Sequence, residues 1–210
     1  MSHSRRAALA LLAGLTFAPS VSLAAAADDP LVAKAAAYLD TVNDVRGRFV
    51  QSDNRGGVAE GTLYLARPGR ARFEYDPPSG LLITSDGRTV IVSDSRLKTF
   101  QRYPLTSTPL AIFLADHIRL DRARITRVDQ TADGFSITAR DSGAAGGEIT
   151  LYFFREPMRL TGWSIVDAQA RTTRVSLGQL TPAAAPATLF VQTPGGTPAP
   201  PPANGGVTRW

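Results

Sequence analysis

Catalysis needs reactive side chains within reach of one another, and this sequence of 210 residues supplies few. It has no cysteine, which excludes a disulfide framework, a thiol nucleophile and a thiolate metal site. Of its two histidines, His3 lies in the apolar leader and His117 stands alone beside Asp116. A lone histidine of this kind reads as a surface or hinge residue. No nucleophile–base set, phosphate-binding glycine loop or metal-ligand spacing is present. The carboxylate groupings, Asp28-Asp29 and Asp86 with Asp94, sit where turns and helix starts use them. Nothing here gives a positive reason to expect an enzyme, a cofactor or a metal.

Formal net charge is +5, most of it arginine. Arg70, Arg72, Arg122, Arg124 and Arg127 read as scattered on outward strand faces, without the dense basic run or aromatic–basic motif of a nucleic-acid binder. The N-terminus reads as an export signal: Arg5-Arg6, an apolar run over Ala7 to Ala18, then small-residue cleavage sites around Ser22-Leu23-Ala24. The run is shorter than the roughly 20 residues of a spanning helix. The expected division is a leader over 1–27, one domain over 28–193 and a Pro/Gly-rich disordered tail over 194–210. The mature protein is expected to be a soluble monomer outside the cytoplasm.

The elements that position everything else are mostly strands. Asp28-Asp29-Pro30 opens a helix whose stripe is Leu31, Ala35, Tyr38, Leu39 and Val42. Alternating segments then follow with turn signals between them, from Val45 to Asp53 onward. The densest stretch is Glu60 to Gly87. There Leu63 and Leu65 precede Arg67-Pro68-Gly69, then Ala71, Phe73 and Tyr75 alternate with Arg70, Arg72 and Glu74, and Leu81-Leu82-Ile83 runs to Ser85-Asp86-Gly87. Ser107 or Thr108 before Pro109 caps a short apolar helix containing Leu110, Ile112, Phe113 and Leu114. Strands resume from Arg124 to Leu177, and Leu189 to Thr193 reads as a last edge strand. About ten or eleven antiparallel strands in meander order must curl, with the helices covering the apolar face.

Period-two alternation puts Arg67 on the face of Leu63 and Leu65, at the rim. Two readings stay open on pattern alone. Its guanidinium either hydrogen-bonds to helix C-terminal carbonyls or snorkels to solvent.

The ordered set Phe49-x-Gln51, Gly61-x-Leu63-x-Leu65, Arg67-Pro68-x-x-x-Arg72-Phe73-x-Tyr75, Pro77-Pro78, Leu-Leu-Ile-x-Ser-Asp-Gly, Thr108-Pro109 and Leu189-Phe190-Val191 resembles the periplasmic outer-membrane lipoprotein carriers of the LolA family. The likeness runs from about Pro30 to Pro194. It implies a mainly β protein with an α lid, a strongly curved antiparallel sheet forming an incomplete barrel. It also implies a non-catalytic periplasmic chaperone that accepts lipoprotein acyl chains from an inner-membrane ABC transporter. Delivery would be to an outer-membrane acceptor lipoprotein or to the outer membrane itself. By resemblance, Arg67 latches the lid in the empty state. Leu63, Leu65, Ala71, Phe73, Tyr75, Leu82, Val90 and Val92 wall the acyl cavity, and Leu110, Ile112 and Phe113 belong to the lid helix. Ala71 departs from the bulky aromatic of the best-known members. A lipid- or lipoprotein-sensing regulatory module on the same fold is the alternative, and an exported hydrolase on a similar barrel lacks its nucleophile and base.

Overall fold

The computed structural model of the chain describes residues 29–108, 110–115, 124–141, 147–167 and 169–192. The leader, the tail, His117 and Arg122 lie outside the described residues. Helix α1 spans Pro30–Thr41. Its start follows the sequence signal: the Asp29 carboxylate accepts a 2.8 Å hydrogen bond from the Leu31 N–H, and Pro30 fills a first-turn position that needs no donor. Val32, Ala35 and Leu39 are its buried residues, joined by the capping Val42, all small or aliphatic, so the helix can lie close against a sheet.

Twelve strands form one antiparallel sheet. They are β1 Asp44–Asp53, β2 Val58–Ala66, β3 Arg70–Tyr75, β4 Leu81–Asp86, β5 Thr89–Asp94, β6 Thr99–Pro104, β7 Arg124–Gln130, β8 Gly134–Asp141, β9 Gly147–Phe154, β10 Arg159–Asp167, β11 Thr172–Leu177 and the two-residue β12 Thr181–Pro182. The order is β6-β5-β4-β3-β2-β1-β11-β10-β9-β8-β7, with β12 added alongside β1. Two meanders therefore meet at the β1–β11 pair, and β6 and β7 are left as the two edges. The connection between those edges carries a 3₁₀ turn, Leu105–Ser107, and helix α2, Leu110–Leu114.

Ring contacts show how far the sheet curls. β3 and β10 are four strand steps apart, about 19 Å if the sheet were flat. Yet the rings of Phe73 on β3 and Trp163 on β10 have centroids 6.1 Å apart, edge to face. The sheet has wrapped until its two halves meet across one apolar interior. That interior is a single cluster drawn from α1, α2 and both meanders. The sheet is not closed into a barrel.

At one place the wrap needs a residue without a side chain. Phe49 on β1 stands opposite Gly61 on β2 and lays its ring over that glycine. A Cβ on Gly61 would come within 2.3 Å of the Glu74 carbonyl oxygen and 2.6 Å of the Phe49 ring. The ring is then free to pack edge-to-face on Phe73 at 5.7 Å and Tyr75 at 5.0 Å.

Two sequence expectations are corrected on the outer face. Leu189 to Thr193 does not add an edge strand: Ala187–Phe190 is a 3₁₀ turn lying across the sheet. Leu189 and Phe190 are adjacent in sequence and both fully buried against Tyr64 and Ala66. Adjacent strand residues point to opposite faces, so a strand could not bury both on one surface; a tight turn can. Beneath this strap Arg72, expected to be solvated, is completely buried. Arg124 and Arg127 are exposed as expected.

Gly61→Val should destabilise the protein by about 2 kcal/mol or more through overpacking, measured as a shift in the urea midpoint. An unchanged midpoint would contradict the Phe49–Gly61 geometry. A second expectation concerns pH. Burial pushes the Tyr75 hydroxyl from 10.0 up to about 12, against the smaller opposing effect of its hydrogen bond to Gln51. The folded state thus holds this proton more tightly than the unfolded state. Tyr75's contribution is complete below pH 10 and is lost as pH rises towards 12. Tyr75→Phe should flatten the alkaline fall in stability relative to the parent protein.

Candidate functional site

Arg67 follows the last residue of β2, and its backbone N–H donates to the Asn43 carbonyl at 3.3 Å. Its side chain is buried and points inward, not to solvent. One terminal nitrogen, Nη1, donates to the Leu39 carbonyl and reaches the Val42 carbonyl at 3.4 Å. The other, Nη2, donates to the Ala115 carbonyl at 2.7 Å and lies 3.7 Å from the Asp40 carboxylate. Leu39 lies in the last turn of α1 and Val42 caps it, where the helix dipole is negative; the Leu39 carbonyl also accepts from the Val42 N–H at 3.0 Å. Ala115 follows α2. A single guanidinium therefore ties together two segments that are distant in sequence. The turn carrying Arg67 adds a third tie: the Gly69 N–H donates to the Leu114 carbonyl at 2.7 Å. Gly69 has φ of +78° and backs directly onto Gly87, so no larger residue fits there without strain.

Inside this rim, Leu63, Leu65, Ala71, Phe73, Tyr75 and Val90 are buried in the common apolar cluster, with Val92 partly buried at its margin. Phe113 is buried in the same cluster and Leu110 half-buried against it. Ile112 belongs to the same helix, with its side chain outside the described set.

Leu82 is misplaced by the sequence reading. The β3–β4 register pairs Glu74 with Leu82 and Phe73 with Ile83, so Leu82 is on the outer face and Ile83 takes the inward place. Leu81-Leu82-Ile83 is apolar at three successive positions and carries no alternation of its own; the pairing with β3 decides which side chains turn in.

Residues from the second meander complete the interior. Trp163 lies between the wall and the lid, 6.1 Å from Phe73 and 5.6 Å from Phe113. Tyr38 of α1 meets Phe153 edge-to-face at 6.4 Å, and Phe135 stacks on Phe153 at 5.0 Å. The alternation of Glu148 to Arg155 signals Phe153, whereas in Leu160 to Asp167 a register shift between Leu160 and Gly162 breaks the alternation, so that Leu160 and Trp163 are both buried.

The polar groups facing this space are few and paired. Tyr75 donates to the Gln51 side-chain oxygen at 2.7 Å, and Ser85 to the Gly69 carbonyl at 2.6 Å. The carboxylates of Asp86 and Asp94 accept turn N–H groups from Arg88, Thr89, Arg96 and Leu97. Asp53 and Asp167 do the same, and backbone N–H groups of Gly57 and Arg171 hold their carboxyls below the usual value. Among the described residues no cluster of three or more His, Cys, Asp or Glu side chains could hold a metal. No helix among them is long and apolar enough to cross a membrane. What the site offers is apolar surface, with hydrogen bonds from one side chain to the backbone of two separate segments beside it.

Comparison with known proteins gives a consistent result. The profile of the family described as "Outer membrane lipoprotein carrier protein LolA" matches residues 40–193. A protein of Bordetella pertussis named outer-membrane lipoprotein carrier protein is 31% identical over 209 residues, covering 92% of this chain and 96% of that one. A protein of the same name from Chromohalobacter salexigens is 28% identical over 182 residues, covering 81% and 85%. Among solved structures, a LolA superfamily protein from Nitrosomonas europaea matches with a TM-score of 0.46 at 10% identity, over 77% of this chain and 97% of that one. With the family profile matching residues 40–193, well over half of the chain, the chain belongs to the LolA family of outer membrane lipoprotein carrier proteins.

Proposed function

We propose that this protein is a periplasmic chaperone that shields the acyl chains of lipoproteins released from the inner membrane and delivers them to the outer membrane. The observation that carries the reading is the bridge from Arg67 to the carbonyls of Leu39, Val42 and Ala115 across an apolar interior. The donor is the inner-membrane ABC transporter that releases lipoproteins. The recipient is an acceptor lipoprotein at the outer membrane or the membrane itself. The leader over 1–27 fits export to that compartment.

The physical logic is a competition. Each methylene removed from water contributes about 0.8 kcal/mol, so an acyl chain needs a dry refuge during transit. In the closed form that refuge is occupied by the protein's own Phe113 against Trp163. Acyl chains enter by displacing the lid, which breaks the hydrogen bonds of Arg67. Release restores them, so the latch opposes over-tight binding and keeps unloading possible. Ala71, where the best-known relatives carry a bulky aromatic, leaves a shallower wall opposite Ser85. No observation favours a sensor over a carrier.

Arg67→Leu removes the ties while keeping apolar bulk. The expected result is a lid equilibrium shifted towards the open form by a factor of about ten or more. Labelled lipoprotein should still leave inner-membrane spheroplasts on adding the variant, but onward transfer to outer membranes should slow by a similar factor. Transfer at the parental rate would overturn the latch. Failure of the parent protein to release any lipoprotein would overturn the carrier reading.

A further inference from the structure

Arg72 sits at the centre of β3 on the outer face, in register with Tyr64 on one side and Thr84 on the other. It is the largest fully buried side chain among the described residues. Its Nη1 donates to the Leu189 carbonyl at 3.1 Å and its Nε to Glu74 at 3.1 Å. The strap over it, residues 183–192, is fastened at both ends. The Ala183 N–H donates to the Asp44 carbonyl at 2.9 Å. The Gln192 amide donates to Thr84 at 2.9 Å and accepts from Ser93 at 2.6 Å. Between these anchors Leu189 and Phe190 press on Tyr64 and Ala66. Arg70 donates to the Ala66 carbonyl at 3.2 Å and holds its guanidinium 5.8 Å from the Phe190 ring centroid.

Ala66 and Arg70 flank the turn that carries Arg67. The inner side of that turn is held by the lid, through Gly69 and Leu114, and its outer side by the strap. A side chain that must reach carbonyls in two separate segments tolerates little displacement of its own backbone. Burying a cation under the strap is costly, and an apolar residue would fill the space with less penalty. The geometry points to Arg72 as a positioning residue for the latch: it pins the strap as a back-plate behind the Ala66–Arg70 turn, so that Arg67 stays within reach of both lids. It does so from the face opposite the cavity. This inference rests on the reading of Arg67 as the lid latch.

The test uses Arg72→Met in the purified protein, alone and combined with Arg67→Leu, with Phe190→Ala as a second variant should Arg72→Met fail to fold. Three quantities are followed: the urea midpoint, amide hydrogen exchange, and binding of a dansyl-labelled long-chain fatty acid. The amides of interest are Gly69 and Val42, which face the latch and the end of α1, compared with those of β9. The expected result is exchange about fivefold or more faster at Gly69 and Val42, beyond any change at β9, together with tighter fatty-acid binding. In the Arg67→Leu background the strap variants should add nothing further. Equal acceleration at all amides, or full additivity with Arg67→Leu, would overturn the inference and leave Arg72 a general stabiliser of the sheet. If Arg67→Leu by itself leaves Gly69 exchange and fatty-acid binding unchanged, the latch reading has failed and this inference falls with it, a result visible before the strap variants are compared.

Discussion

A guanidinium facing an apolar interior must find hydrogen-bond acceptors there or move back to water. Arg67 finds them on backbone carbonyls at the end of α1 and just after α2. Much of the architecture can be understood from that requirement. Helix α1 must end where Arg67 can meet Leu39 and Val42. The β6–β7 connection must bring Ala115 back across the rim. The turn at Pro68-Gly69 must be tight enough to hold the arginine between them. None of the three acceptors comes from a strand of the sheet.

The interior beneath is not an empty hole waiting for a guest. Phe113, Trp163, Phe73 and Phe49 meet through ring contacts, largely edge to face, that hold the wrapped sheet around them. Aromatic packing of this kind stabilises the closed form by area and by geometry, yet it specifies its partners less rigidly than interlocked aliphatic side chains would. The arrangement needs no reactive groups.

The strand pattern was legible because most of the strands alternate. The turns were legible because Asp86-Gly87, Arg67-Pro68-Gly69 and Ala132-Asp133-Gly134 are strong local signals. Sequence reasoning lost the thread where alternation fails. Leu81-Leu82-Ile83 does not declare its inner residue, and Leu189-Phe190 reads as a strand while its burial requires a turn. Arg72 was hidden for a different reason. Its surroundings within β3 are those of a solvated strand face, and what buries it arrives from more than a hundred residues later in the chain. Arg67's acceptors are likewise backbone atoms, which carry no sequence signature; pattern left its role open, and only the resemblance singled it out. Trp163 could not be placed from the alternation of its own strand, which a register shift between Leu160 and Gly162 interrupts, nor beside Phe113, because that contact depends on how tightly the sheet curls.

The unpaired edges of β6 and β7 bear on capacity. In a closed barrel, strand number and shear fix the girth, and hydrogen bonds all the way round resist any change in it. Here the ladder stops at both edges, and those edges are joined in sequence by the segment that bears α2 and Ala115. The circumference is therefore set by a clasp and not by a ring. A sheet open in this way can change its girth by small changes of twist spread over its strands, which a closed ladder resists.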